Sequence, residues 1–244
     1  MRASSHHFAV EALAGLVLAA DRSAWSDEPQ TLRSWAGTAL QQPPHLPFVD
    51  RYGRLTPDAF PGSGPIRFAR DIVLPQWRER HTEQLDTLAS KGRALLALSF
   101  SHWHGQAPLR AMLTLTRIAT RLRRIVVLDD RLGQPVGAFT WLHVSPRSVQ
   151  RIRQHPASAL HPSEWNEGRT LWIRDVAIPS TESRDRAALL QKITALIHLA
   201  VEPVLLTDHC AGAPVPALLQ INPGDTAGVR AWFERSQQRR NSRA

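Results

Sequence analysis

Residues Ser163–Pro179 read SEWNEGRTLWIRDVAIP, and the fold is read outward from this stretch. Glycine and polar residues at its start mark a turn, and from Leu171 the apolar residues repeat with a period near two, which is the pattern of a β-strand. On strict alternation Leu171, Ile173, Asp175 and Ala177 share one face, and Trp172, Arg174, Val176 and Ile178 share the other. Asp175 then falls on the more apolar face. A carboxylate there is costly unless a partner compensates it, so the strand predicts a partner for Asp175 elsewhere in the chain.

The neighbouring segments supply a sheet and its helices. Downstream, Arg184–Leu199 carries Leu189, Leu190, Ile193, Leu196 and Ile197 on one helical face, Pro203–Leu206 reads as a short strand, and Pro216–Asn222 and Val229–Phe233 read as closing strands. Upstream, Ser145-Pro146 opens a helix running to about Gln154, with serine at the N-cap and proline at the first helical position. Before it, Ile125–Asp129 and Pro135–Val144 form a hairpin across the turn Asp130–Gln134. Pro108–Arg123 and Gln76–Leu98 have helical spacing, with arginines opposite the apolar face in the former. Gln41–Gly64 is rich in proline and glycine and reads as a linker. Gln30–Leu40 and Phe8–Arg22 are further helical candidates. Phe8–Ala20 has the make-up of a signal-peptide core, but Glu11 interrupts it and its pattern reads equally as an amphipathic helix. The expected class is α/β or α+β, a mostly antiparallel sheet flanked by helices. The expected divisions are an extension over 1–82, a main domain over 83–235 and a basic tail over 236–244.

The chain has 244 residues, 43% of them apolar and 21% charged, as in a globular protein. Its formal net charge is +9, with arginine supplying nearly all of the 30 basic residues. That balance favours an acidic partner without choosing among nucleic acid, anionic lipid and protein. It is also a common by-product of GC-rich coding. The single cysteine, Cys210, rules out an internal disulfide and fits a reducing compartment, hence a cytoplasmic location. No apolar run reaches the length of a bilayer span.

His102-Trp103-His104 could present two imidazoles to a metal. No third ligand at convincing spacing accompanies them, although His143, His155 and His161 exist, so no metal site is expected. Both read equally as ordinary histidines of a loop or helix start; alternatively, one of the two could act as a general base near Asp175, whose carboxylate would fix its tautomer. Asp208-His209-Cys210 places a thiol beside a base, but adjacent residues rarely face each other, and it reads as a polar loop. No Gly-x-Ser-x-Gly elbow, P-loop or nucleic-acid motif is present.

One set of residues resembles a known family. The run Ile125-Val-Val-Leu-Asp129, then Gln134-Pro-Val-Gly-Ala-Phe-Thr-Trp141, then Glu164-Trp-Asn-Glu-Gly-Arg-Thr-Leu-Trp-Ile-Arg-Asp175 resembles the RTX toxin-activating lysine acyltransferases, the hemolysin-activating proteins. Upstream, Ser101-His-Trp-His104 followed by Pro108 fits that family's Ser-x-x-His and proline. The resemblance spans about 85–233. It implies a GNAT-like fold and transfer of a fatty acyl chain from acyl carrier protein, as co-substrate, to internal lysines of an RTX-type protoxin. It implies His104 as general base and Asp175 as the acid that orients it. Ser101 or backbone N–H groups would support the oxyanion. No bound cofactor or metal is implied. The chain departs from the pattern at Gly105, Gln106 and Ala107, where the family usually has a basic residue and tryptophan. It departs again near Leu115, where a polar residue is expected and Thr114, Thr116 or a backbone N–H would have to substitute.

Two other readings stand beside this one. A catalytically impaired relative would bind carrier protein or toxin without transferring the acyl group. A basic module would bind nucleic acid with steep salt dependence. The first 82 residues are a packing extension, a substrate-docking module or a dimerisation arm, the last giving a homodimer.

Overall fold

The computed structural model describes residues 10–24, 30–41, 48–49, 55–56, 74–130, 135–154, 160–178, 182–208 and 217–238. The protein is α+β. A five-stranded sheet has the order β3 (Ile125–Asp129), β4 (Pro135–Val144), β5 (Thr170–Ala177), β6 (Val204–Asp208), β7 (Ala217–Ile221). Three of its junctions are antiparallel, and β5 and β6 run parallel. A separate short ribbon pairs β1 (Phe48–Val49) with β2 (Leu55–Thr56).

Helices cover both faces of the large sheet. On one side lie α1 (Val10–Ala24), α2 (Leu32–Gln41), α3 (Leu74–Ser99), the four-residue turn α4 (His102–Gly105), α5 (Leu109–Arg121) and α6 (Pro146–Gln154). Their buried residues, among them Leu13, Trp35, Leu96 and Met112, join Leu142, Val144 and Trp172 of the sheet in one core. On the other side α7 (Ser183–His198) and α8 (Thr226–Gln238) pack Ile193, Trp232 and Phe233 against Phe139, Leu171 and Ile173. The hydrophobic spacing explains the helices. In α5 Leu109, Met112, Leu115, Thr116 and Ala119 are buried at steps of three and four, while Arg110, Arg117 and Arg121 are exposed. In α3 Ala94–Leu98 is buried on every side, because α1 covers the flank that the sheet does not.

The boundary expected at 82/83 falls inside α3, and α1 and α2 share the core of the main domain. The linker over Gln41–Gly64 and the turn Asp130–Gln134 lie largely outside the described residues; of the tail expected over 236–244, residues 236–238 belong to α8 and the rest lies outside them.

Two expectations need correction. Val229–Phe233 is part of α8, not a strand. Its apolar residues Val229, Trp232 and Phe233 are three and four apart, and the Asp225 carboxylate caps the helix by accepting the Gly228 N–H at 2.8 Å. The second correction concerns the faces of β5. Thr140 pairs with Asp175 but Trp141 pairs with Ile173, so Arg174 is an extra residue in a β-bulge. The bulge reverses the parity. Asp175 shares its face with Trp172 and Ala177, towards α3–α5, while Leu171 and Ile173 point towards α7 and α8.

Candidate active site

The segment 161–175 is built residue by residue to deliver Asp175. His161 accepts the Ser163 N–H, and the Glu164 carboxylate accepts the His161 N–H at 2.7 Å, a reciprocal cap on the 3-10 turn Pro162–Trp165. Burial pushes the Glu164 carboxyl up. The His161 N–H, Arg151 and Ser148 outweigh it and hold the group below its usual range. Trp165 is fully buried behind the turn. Gly168 then lets the chain pass against β4: a Cβ there would sit 1.9 Å from the Val144 carbonyl oxygen. Trp172 anchors β5 by donating its indole N–H to Thr207 Oγ1 at 2.8 Å.

The bulge follows at once and brings Arg174 and Asp175 to the same face, where the Arg174 Nε lies 3.8 Å from Asp175 Oδ2. The guanidinium also stacks over the Trp165 ring at 5.8 Å.

The partner that Asp175 requires is His104. Its Nε2 lies 2.8 Å from Asp175 Oδ1, and the two residues are 1% and 3% exposed. Thr140, across the strand pair, donates its hydroxyl to Asp175 Oδ2 at 2.5 Å. Burial alone would raise the Asp175 carboxyl. The Arg174 guanidinium, the hydrogen bond and charge of His104, and the Thr140 hydroxyl more than reverse this, and the group is held well below the ordinary carboxylate range. Asp175 is therefore an ionised acceptor, and His104 Nε2 must be the donor to it. In the neutral ring that leaves the lone pair on Nδ1, which faces Ser101 Oγ at 2.9 Å. Ser101 also caps α4 by accepting the His104 N–H at 3.4 Å.

The result is a chain from Ser101 to His104 to Asp175 to Thr140. The last three are buried, and Ser101 is half-exposed at the outer end. Two exposed aromatic residues flank that end, Phe100 at 42% and Trp103 at 36%. Chemically, the chain can move a proton from the hydroxyl of a half-exposed serine to a buried imidazole whose charge a carboxylate stabilises.

The other sequence candidates are placed elsewhere. His143 is half-buried in β4 on the face towards α7 and α8, and burial followed by the Arg124 charge lowers its pKa. His161 belongs to the cap. Asp208 is ion-paired to Arg235, while His155, His209 and Cys210 lie outside the described residues. Among the described residues no group of three or more His, Cys, Asp or Glu side chains is gathered as a metal site would need. Leu115 is a buried core residue, and the hydroxyls of Thr114 and Thr116 donate to carbonyls of their own helix.

Sequence reasoning missed Thr140 and Arg174. Thr140 had a signal, as the one polar residue among Ala138, Leu142 and Val144 at alternate positions of β4. Arg174 had none, since its place depends on the bulge.

Two open clefts lie beside α6. One of about 450 Å³ is polar and lined by Arg147, Arg151 and Glu164, and one of about 300 Å³ is lined by Val149, Thr170 and Leu205. Neither is lined by the His104 cluster. Among the described residues no helix is long and apolar enough to cross a membrane. No protein-family model matches the chain, and no curated protein matches it.

Proposed function

We propose that the protein is a protein-lysine fatty-acyltransferase, taking the acyl chain from acyl carrier protein and delivering it to internal lysines of an RTX-type protoxin. The observation that carries this reading is the Ser101–His104–Asp175 chain, with its outer residue half-exposed. Acyl transfer needs a nucleophile, a base that returns the proton to the leaving group, and a carboxylate that holds the base in one tautomer. The substrates come from the sequence resemblance, and so does the GNAT-like assignment of the sheet. The cytoplasm is the compartment the reading requires.

The geometry favours a route through an acyl-enzyme. Ser101 Oγ attacks the thioester carbonyl and its proton passes to His104 Nδ1. The tetrahedral intermediate collapses, and the carrier's sulfur leaves with that proton. The unprotonated ε-amine of the acceptor lysine then attacks the Ser101 ester and gives a proton to His104. Ser101 departs and takes the proton back. Asp175 stays ionised throughout and stabilises the imidazolium. In direct attack by the lysine, Ser101 would first have to leave Nδ1.

The near-complete burial of His104 motivates a second reading, a relative that binds carrier protein or toxin without turning over. One experiment separates the two. The full chain is incubated with a long-chain acyl carrier protein and a lysine-bearing toxin fragment, and both proteins are read by mass spectrometry. The enzyme reading expects acyl-lysine on the fragment, with His104→Ala losing about two to four orders of magnitude in rate. Carrier binding with no acyl-lysine supports the second reading. Full transfer by His104→Ala overturns the first.

A further inference from the structure

We propose that Arg33, on the N-terminal helix α2, is a positioning residue for the His104 turn, and that Gln30–Arg33 is an integral part of the site. For its kinetic arm this rests on the acyl-transfer reading above.

The turn α4 is four residues long, too short to hold its own shape. The segment Gln30–Arg33 grips it at both ends. At the outgoing end, the Leu32 N–H donates to the Ala107 carbonyl at 3.0 Å and the Leu109 N–H donates to the Gln30 carbonyl at 2.9 Å, with a bridge between Thr31 and Pro108. At the incoming end, Arg33 Nη2 donates to the Ser101 carbonyl at 2.9 Å and Arg33 Nε to the Ser99 carbonyl at 3.4 Å. The Ser101 carbonyl also accepts the Gly105 N–H at 2.9 Å, so two donors fix the peptide plane of the residue whose hydroxyl meets His104.

Two local features fit this role. Arg33 lies in the first turn of α2, where the helix dipole disfavours a cation, and no acidic residue in that turn offsets it. Its place is better explained by the two carbonyls it reaches. Gly105 makes room for it: a Cβ there would sit 2.9 Å from both Arg33 Nε and Nη2, and 2.6 Å from the Ser99 carbonyl oxygen. A larger residue at 105 would displace the guanidinium from its place and would meet the Ser99 carbonyl oxygen as well. The platform is firm, because Leu32, Trp35 and Ala36 of α2 are buried in the shared core.

The test compares Arg33→Ala and Arg33→Lys with the wild-type chain. Alanine is the best helix former, so α2 should be retained, and circular dichroism checks this. Two readouts are taken: the imidazole 15N resonances of His104, and acyl-transfer kinetics. In Arg33→Ala the Nδ1 resonance should move as its bond to Ser101 loosens. The kcat should fall on the order of ten- to a hundredfold with KM for the acyl donor unchanged, the loss expected when a reacting group is displaced by about 1 Å. Added guanidinium ion should recover part of the rate. Lysine, a point charge that cannot span both carbonyls, should recover little.

Unchanged His104 resonances in Arg33→Ala overturn the proposal, and so does a loss confined to KM. If the alanine variant does not fold, Arg33→Gln, which keeps one donor, is taken through the same readouts and judged by the same outcomes. If the wild-type chain transfers no acyl group, the acyl-transfer reading fails, while the resonances still decide the role of Arg33.

Discussion

Replacing Asp175 with asparagine keeps the shape of the side chain and reverses its hydrogen-bond logic. The carboxylate now accepts twice, from His104 Nε2 at 2.8 Å and from the Thr140 hydroxyl at 2.5 Å. Asparagine can still accept from Thr140 through its oxygen, but its amide then points at Nε2 as a donor. The imidazole must answer with a lone pair at Nε2 and a proton at Nδ1. Ser101 then faces an N–H instead of a base. In a serine protease the equivalent exchange lowers kcat by about 10⁴ through the same wrong tautomer, and that factor corresponds to about 5.4 kcal/mol at 1.36 kcal/mol per tenfold. We expect Asp175→Asn to lose about three to four orders of magnitude in acyl transfer while remaining folded.

Stability supplies a second measurement for this variant. The folded-state pKa of Asp175 lies below the reference value of 3.8, so its contribution is complete above that value and is lost as pH falls through the folded pKa. Urea unfolding of the wild type should therefore weaken steadily as pH drops below about 4, and Asp175→Asn should remove that part of the slope. Acyl transfer within tenfold of wild type would falsify the tautomer argument. A pH slope as steep in the variant as in the wild type would refute the assignment of the depressed pKa to Asp175.

Three further substitutions probe the surroundings of Asp175. Arg174→Met removes the guanidinium 3.8 Å from Oδ2, so the Asp175 pKa should rise towards its reference value, and the loss of stability below pH about 4 should be smaller and end at a higher pH, as followed by urea unfolding across pH. Thr140→Val is nearly isosteric and leaves Oδ2 without its hydroxyl donor, which should cost about 1–3 kcal/mol in urea unfolding. Gly168→Ala sets a methyl group 1.9 Å from a backbone oxygen, so strand or turn must move, and the loss should reach the upper end of overpacking penalties, about 3 kcal/mol or more.

What the sequence could reveal followed from local pattern, and what it could not followed from register. The helical spacing of α5 and α7, the hairpin β3–β4 and the strand β5 are written in runs of residues that interact with their near neighbours. The need of Asp175 for a partner was legible because a lone acid in an apolar strand is anomalous, and the resemblance pointed to His104. The face on which that partner would lie was not legible. Strict alternation placed Asp175 with Leu171 and Ile173, but the extra residue Arg174 is set by pairing with β4, which no period within β5 reports. The helix at Val229–Phe233 was misread for the opposite reason, since five residues are too few to separate the two periods. Arg33 had no signal of its own. What looked like a departure at Gly105 is where the chain leaves space for it.

The energetics of the pair bear on why it is there. Burying an ionised carboxylate beside an imidazole requires stripping both of water, and the interaction gained often only offsets that loss. Well-packed apolar residues in place of such a pair are commonly neutral or stabilising. Here the carboxylate needs three supports to remain charged: the His104 ring, the Thr140 hydroxyl and a guanidinium brought alongside by a bulge. Stability alone does not account for this assembly, because Leu and Val at the same positions would hold α4 to β5 with fewer constraints. What an apolar pair cannot supply is a proton acceptor at Nδ1, held against the hydroxyl of a half-exposed serine. The construction is therefore better understood from its outer end, Ser101, than from its buried one. The prediction it makes is that a His104→Leu, Asp175→Leu double variant keeps the fold, losing less in urea unfolding than either single change, while acyl transfer is abolished.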